Sequence, residues 1–152
     1  MSLNRYRLGF DVWGLALFLV VMVPNIIWFA VPAQNDVLRA ESVTPVLDTI
    51  ASVLQVLTVA CLCFVINRER TQLCLFSPLI NITSVCVLIY YAGWCLYYFG
   101  STGIRVILML TVPPCVAFIL FAADRKNLPA VLFASGFAVC HLLFALINFM
   151  TA

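Results

Sequence analysis

Charged residues are scarce in this sequence, at 9% of its 152 residues, while 65% are hydrophobic. A soluble domain of this size carries roughly 25% charged residues to cover its surface, so lipid is the main solvent of this chain. The connections between its apolar runs are short, which leaves no room for a soluble domain. A net charge of only +2, without a basic stripe, excludes a typical nucleic-acid-binding protein.

The sequence also lacks the motifs of common hydrolases and metalloproteins. It has no HExxH and no GxSxG, and His141 is its only histidine. Six of the seven cysteines fall inside apolar runs, which favours small buried hydrophobic residues over a disulfide framework. We therefore predict no cofactor and no metal site. A membrane-embedded enzyme is a hypothesis only if Asp48 and His141 act as base and acid.

Five apolar runs each approach the ~20 residues that a spanning helix needs. We predict an all-α integral membrane protein, a five-transmembrane-helix bundle that forms a single domain over residues 1–152. Prolines inside the runs, at Pro24 and at Pro113 and Pro114, predict kinked first and fourth helices. The predicted helices are Val12–Val31, Pro45–Ile66, Pro78–Phe99, Ile104–Ala123 and Pro129–Phe149.

The basic residues are distributed unequally, with six of the eight on one side of the predicted bundle. The positive-inside rule makes that side cytoplasmic, so we expect a plasma or inner membrane protein with its N-terminus inside and its C-terminus outside. A cleaved signal peptide is the alternative for the first run, but its apolar part exceeds the ~7–15 residues of a typical one. The six are Arg5, Arg7, Arg68, Arg70, Arg125 and Lys126, and the other two are Arg39 and Arg105.

Three helix starts are legible in the sequence. Thr44 before Pro45 and Ser77 before Pro78 each place a hydroxyl at the N-cap and a proline at the first helical position. Asn127, two residues before Pro129, is a looser version of the same pattern. These pairs predict side-chain caps for the second, third and fifth helices.

Polar residues recur on single faces of the predicted helices, as Asp48, Ser52 and Gln55 do at spacings of four and three. Gln55 and His141 should lie about 12–15 Å deep at the helical rise of ~1.5 Å per residue. An unpaired polar group in hydrocarbon costs several kcal/mol, so such groups should face one another or water. We predict a cavity in the outer half of the membrane, with candidate ligand-binding residues Asn25, Trp28, Asp48, Ser52, Gln55, Tyr90, Tyr91, Trp94, His141 and Asn148.

Pro24 and Asn25 stand side by side in the middle of the first apolar run. The proline cannot donate the backbone hydrogen bond that the carbonyl of Val20 would otherwise accept. Kinked membrane helices persist when neighbouring groups satisfy such a carbonyl. Asn25 is one candidate, since its amide can donate to a carbonyl or to a partner across the bundle.

The functional hypothesis is a small multipass protein that binds or transports a modest organic ligand, cationic or amphipathic, because a carboxylate among aromatic rings suits a cation. The alternative is an accessory or structural subunit with no ligand. Then Asp48 is a charge at a helix start, His141 a packing residue and Trp94 part of an interfacial belt. The lipid bilayer is the expected partner in each case. Small residues on the fifth helix, such as Ala134 and Ala138, are compatible with a homo-oligomer or with other membrane subunits.

Overall fold

The computed structural model describes residues 5–69, 74 and 76–150, so Arg70 lies outside the described residues. Within this part of the chain there are five α-helices long and apolar enough to span a membrane, which confirms the all-helical, multipass architecture. A two-stranded antiparallel sheet, absent from the sequence-based prediction, joins them. The elements are β1 (Tyr6–Leu8), α1 (Val12–Ala30), a short 3-10 turn (Val37–Arg39), α2 (Pro45–Phe64), β2 (Val65–Asn67), α3 (Pro78–Tyr98), α4 (Ile104–Asp124) and α5 (Leu128–Met150).

The largest error in the predicted boundaries is at the end of the second helix. It was expected to continue to Ile66, but the chain leaves the helix after Phe64 and residues 65–67 pair with residues 6–8. The register places Tyr6 opposite Asn67 and Leu8 opposite Val65. β-branched residues such as Val65 and Ile66 favour extended backbone, and the strand before α1 supplies a partner for it.

Two of the predicted helix caps are wrong in their hydrogen bonding. Neither Thr44 nor Ser77 caps its helix with its side chain, because each hydroxyl has another partner. Thr44 Oγ1 accepts a hydrogen bond from Asn148 Nδ2 at 3.0 Å, and Ser77 Oγ donates to Asp124. Asn127 does act as a cap, since its Oδ1 accepts from the backbone N–H of Ala130 at 3.2 Å.

Helix α4 lies at the centre of the bundle. In an apolar stretch of 18 residues within α4, 56% of the residues are buried, against 17% to 28% in the corresponding stretches of the other four helices. Helix α3 approaches it closely at Gly93, where an added methyl group would lie 2.9 Å from Met109 Cβ. On the other side, Ala51 of α2, Cys115 of α4 and Phe137 of α5 form a small buried cluster. Helices α2, α3 and α5 therefore pack around α4.

The hairpin end is the end of the bundle formed by β1, β2 and the α4–α5 turn at Arg125–Asn127. Arg125 donates to Asp11 through Nε at 3.0 Å and through Nη2 at 2.9 Å, and both side chains are buried. Asn127 Nδ2 donates to the carbonyls of Cys61 and Val65, each at 2.8 Å. These contacts tie the start of α1, the end of α2 and the start of α5 together.

All seven cysteines are free, but they are not uniformly buried as the sequence suggested. Cys63 and Cys115 are buried, whereas Cys95 is exposed on the outer face of α3. In a lipid-solvated chain an exposed apolar thiol costs little, because the membrane supplies the apolar surroundings that a protein core otherwise provides. Burial inside the protein is therefore not required of a small hydrophobic residue in these helices.

Candidate ligand cavity

A cavity of about 420 Å³ lies among the helices, and all five contribute to its wall. This volume is within the ~300–1,000 Å³ typical of small-molecule sites. Six of the ten candidate ligand-binding residues line it: Asn25, Asp48, Ser52, Gln55, Tyr90 and His141. The other lining residues are Val21, Met22, Ala51, Leu110, Pro114, Cys115, Phe118, Phe137 and Phe144.

Four polar side chains of the cavity make no hydrogen bond within the described part of the chain. They belong to Asp48, Ser52, Gln55 and His141. Asp48 and His141 are nevertheless within electrostatic range of each other. Polar groups at membrane depth need a partner in the protein, in water or in a ligand. A carboxylate, an amide and an imidazole therefore face the same space and can accept an outside partner.

The imidazole of His141 is held between two phenylalanine rings of its own helix. Its centroid is 5.0 Å from that of Phe137 and 6.3 Å from that of Phe144, with interplanar angles of 20° and 6°. Spacings of four and three residues place the three rings on one face of α5. The stack fixes the plane of the imidazole, so its nitrogen edge has a defined direction relative to the cavity.

Asn25 and Tyr90 form a hydrogen-bonded pair between α1 and α3. Asn25 Nδ2 donates to Tyr90 Oη at 2.6 Å and to the carbonyl of Val21 at 3.0 Å, while Tyr90 Oη donates to the same carbonyl at 3.1 Å. Tyr90 is 2% exposed, so the pair is held away from lipid. The amide nitrogen of Asn25 and the hydroxyl of Tyr90 are therefore both paired within the protein.

The carbonyl that Pro24 leaves without its helical donor has a different partner. Tyr91 Oη donates to the carbonyl of Val20 at 2.7 Å, which is the group four residues before Pro24. Tyr98 Oη makes a similar bond to the carbonyl of Val31 at 2.7 Å. Tyr91 was expected to line the cavity, and it lies outside because its hydroxyl is used to satisfy α1.

Trp28 and Trp94 also lie outside the cavity, in a cluster at the other end of the bundle that we call the aromatic end, defined by Trp28, Asp36, Trp94 and Tyr97. Asp36 accepts hydrogen bonds from Trp28 Nε1 at 2.9 Å, from Tyr97 Oη at 2.8 Å and from Arg39 Nε at 2.8 Å. Burial opposes ionisation of Asp36, but these bonds and the charge of Arg39 together lower the pKa of its carboxyl. The Trp94 ring packs against Trp28 and Tyr97.

Asn148 is the fourth candidate that does not line the cavity. Its Oδ1 accepts from the backbone N–H of Val43 at 2.9 Å, and its Nδ2 donates to Thr44 Oγ1 at 3.0 Å and to the carbonyl of Phe144 at 2.9 Å. The amide is saturated by these bonds. These bonds fasten the end of α5 to the start of α2, which explains why Asn148 does not line the cavity.

Sequence reasoning missed two kinds of site residue. The first is the pair Phe137 and Phe144, although their spacing around His141 is a legible helical signal. The second is Asp36, which lies in the connection between α1 and α2 and is the centre of the aromatic end. No local pattern identifies Asp36, because its partner Tyr97 lies 61 residues away.

Comparison with known protein families, curated proteins and solved structures finds no match to this chain.

Proposed function

We propose that this protein binds or transports a small organic cation, or a cationic amphipathic molecule, in the cavity among its five helices. The observation that supports the proposal is the contrast between the paired Asn25 Nδ2 and Tyr90 Oη and the side chains of Asp48, Gln55 and His141, which make no hydrogen bond in the described part of the chain. An unsatisfied polar group at membrane depth is expensive. Three such groups facing one cavity are best explained by a molecule that occupies it.

The charge of the cavity favours a cation over an anion. Asp48 is the acidic residue of the lining, and none of the described residues that line it is lysine or arginine. The rings of Phe137, Phe144 and Tyr90 add electron-rich faces that attract a positive charge. An ammonium group beside Asp48, with an apolar body against Phe118 and Leu110, matches this lining.

We infer the orientation of the protein in the membrane from the positions of its basic residues. Arg5, Arg7, Arg68, Arg125 and Lys126 all belong to the hairpin end or to its flanks, which the positive-inside rule makes cytoplasmic. The cavity then opens toward the outer half of a plasma or inner membrane, with the C-terminus outside. The predicted kinks at Pro24 and at Pro113 and Pro114 would allow α1 and α4 to move relative to the other helices, as transport requires.

Ligand-induced thermal stabilisation of the purified protein tests the proposal. Phenethylamine, 2-phenylethanol and phenylacetate have similar shapes and carry a positive, no and a negative charge. We expect the amine to raise the melting temperature and the anion to have no effect. Ligand at 100 times its Kd stabilises a protein by about 2.7 kcal/mol, which is ample for detection.

Variants assign the effect to the cavity. Asp48→Asn should remove the stabilisation by the amine, and His141→Ala should weaken it. Glu41→Gln removes a carboxylate from an exposed position outside the cavity and should leave the response unchanged. Equal stabilisation of wild type and Asp48→Asn by every compound would overturn the proposal. Co-purification in a defined complex with other membrane proteins, without response to any compound, would favour an accessory subunit.

A further inference from the structure

Hydrogen bonds at the hairpin end join the residues before α1 to the end of α2. The backbone N–H groups of Gly9 and Asp11 donate to the carbonyls of Phe64 and Cys63 at 3.1 and 2.8 Å. At Gly14 the helices touch, since an added methyl group would lie 2.5 Å from the carbonyl oxygen of Leu62. Beyond Gly14 the described residues show no hydrogen bond between these two helices.

Farther along, α1 is held by α3 instead. Tyr91 donates to Val20, Tyr90 to Val21 and Tyr98 to Val31, in each case to a backbone carbonyl. Helix α1 therefore crosses from α2 at the hairpin end toward α3 at the aromatic end. At the level of the cavity, residues of α1 (Val21, Met22 and Asn25) and of α2 (Asp48, Ser52 and Gln55) both contribute to its wall.

Burial changes along one face of α2. Ser52 and Cys63 are eleven residues apart, which is close to three helical turns, so they share a face. Cys63 is 2% exposed, at the level where α1 covers α2, whereas Ser52 is exposed although it also lines the cavity. The cavity thus reaches the lateral surface of the bundle beside Ser52. The adjacent lipid-facing residues, Val53 and Val56, are exposed and apolar.

We infer that the cavity has a lateral portal here between α1 and α2, and that the ligand is a single-chain cationic amphiphile that reaches the cavity from the membrane. The inference rests on the proposed function and makes its ligand more specific. The ammonium head lies beside Asp48, and the chain runs past Met22 and Ser52 into the lipid. The chain then needs no room inside the 420 Å³ cavity, which has to hold only the head and its nearest carbons.

Binding of an alkylammonium series to the full chain in lipid nanodiscs tests the portal. From hexylammonium to dodecylammonium, we expect the apparent aqueous affinity to rise about fourfold per methylene group, the factor carried by transfer of one CH₂ out of water. Asp48→Asn should weaken every member by the same factor. A plateau at intermediate length would mean that the chain is enclosed, and it would overturn the portal.

The position of the chain is tested by photo-crosslinking with a dodecylammonium that carries a diazirine at its terminal carbons. Peptide mapping should find adducts on lipid-facing positions of α1 and α2, and Asp48→Asn should abolish them. Adducts on the inner wall at Leu110 or Phe118 would overturn the inference.

Ser52→Trp should slow association of dodecylammonium about tenfold, a rate change equal to ~1.4 kcal/mol. Val53→Trp, at the neighbouring position outside the cavity, should not slow it.

The proposed function and the lateral portal can be disproved independently of each other. If phenethylamine stabilises the protein through Asp48 while long-chain amines bind no better than short ones, the proposed function stands and the portal is wrong. If neither class depends on Asp48, the proposed function itself is wrong.

Discussion

Polar side chains are used in opposite ways at the hairpin end and in the cavity. At the hairpin end Asp11 is paired with Arg125, and the Asn127 side chain makes two hydrogen bonds to the end of α2 and one that caps its own helix. In the cavity Asp48, Gln55 and His141 have no such partners among the described residues. The two regions contain the same kinds of side chain and differ in whether the fold satisfies them.

The comparison distinguishes polar side chains that stabilise the fold from polar side chains that do not. A polar group that is satisfied by its own chain contributes to the unfolding free energy, and removing it should be costly. A polar group without a partner beside a cavity contributes little to the unfolding free energy, so removing it should cost the fold little; under the proposed function, its removal should weaken binding. Substitutions in the two regions should therefore have different effects on stability.

The largest effect is expected for the buried ion pair of the hairpin end. Arg125→Leu leaves the Asp11 carboxylate, 7% exposed, without its cationic partner. Loss of one member of a buried pair typically costs about 3–5 kcal/mol. Unfolding in mixed micelles of increasing denaturing detergent should show a loss of this size, and Arg105→Leu, at an exposed position on α4, should change stability by less than about 0.5 kcal/mol. Similar losses for the two variants would mean that the pair is not structural.

Matched polar-to-leucine substitutions give the next largest effect and test the comparison itself. Asn127→Leu removes the bonds to Cys61, Val65 and Ala130 and should cost about 2–3 kcal/mol at ~1 kcal/mol per bond. Gln55→Leu removes an unpartnered amide and should be neutral or stabilising in the absence of ligand, while it weakens binding of the amine. The same unfolding assay measures both, and a loss from Gln55→Leu as large as that from Asn127→Leu would refute the distinction.

A smaller effect is expected where Tyr91 satisfies α1. Tyr91→Phe leaves the carbonyl of Val20 unpaired and should cost about 1–2 kcal/mol. Pro24→Ala returns a backbone N–H that can donate to that carbonyl, so Tyr91→Phe should cost less in the Pro24→Ala background. A double-mutant cycle measures this coupling. Tyr98→Phe, which affects Val31 rather than Val20, should show no coupling to Pro24.

The sequence predicts the helices well and their polar contacts unevenly, for a physical reason. Apolar runs bounded by proline or glycine define Pro78–Tyr98 and Ile104–Asp124 to within one residue of the predicted ends. The stripe of Asp48, Ser52 and Gln55 predicts a common face because that relation is local, and the structure places all three on the cavity.

Contacts between distant residues were not predictable in this way. The β-strands Tyr6–Leu8 and Val65–Asn67 are each three residues long and are nearly sixty residues apart, so no periodicity indicates their pairing. Asn25 and Asn148 look alike as isolated amides in apolar helices, yet one lines the cavity and the other fastens α5 to α2. Which role an amide takes depends on partners 65 and 105 residues away.

The smallest effect concerns Asp36, a carboxylate as fully satisfied as Asp11 but at the aromatic end. Its side chain is 11% exposed, and the bonds from Trp28, Tyr97 and Arg39 outweigh burial to lower its pKa from the ordinary 3.8. A carboxyl with a depressed folded-state pKa contributes stability above its unfolded pKa, and that stability is lost as the pH falls through the folded-state value.

The wild type should therefore lose stability below about pH 3.8, and Asp36→Asn should lose less over the same range. Melting temperatures from neutral pH down to about pH 3 measure the difference, with Glu41→Gln as the exposed control that keeps the wild-type profile. Identical profiles for wild type and Asp36→Asn would show that the hydrogen bonds of Asp36 do not stabilise the folded state. The difference between hydrogen-bonded and unpartnered polar side chains would then not extend to the aromatic end.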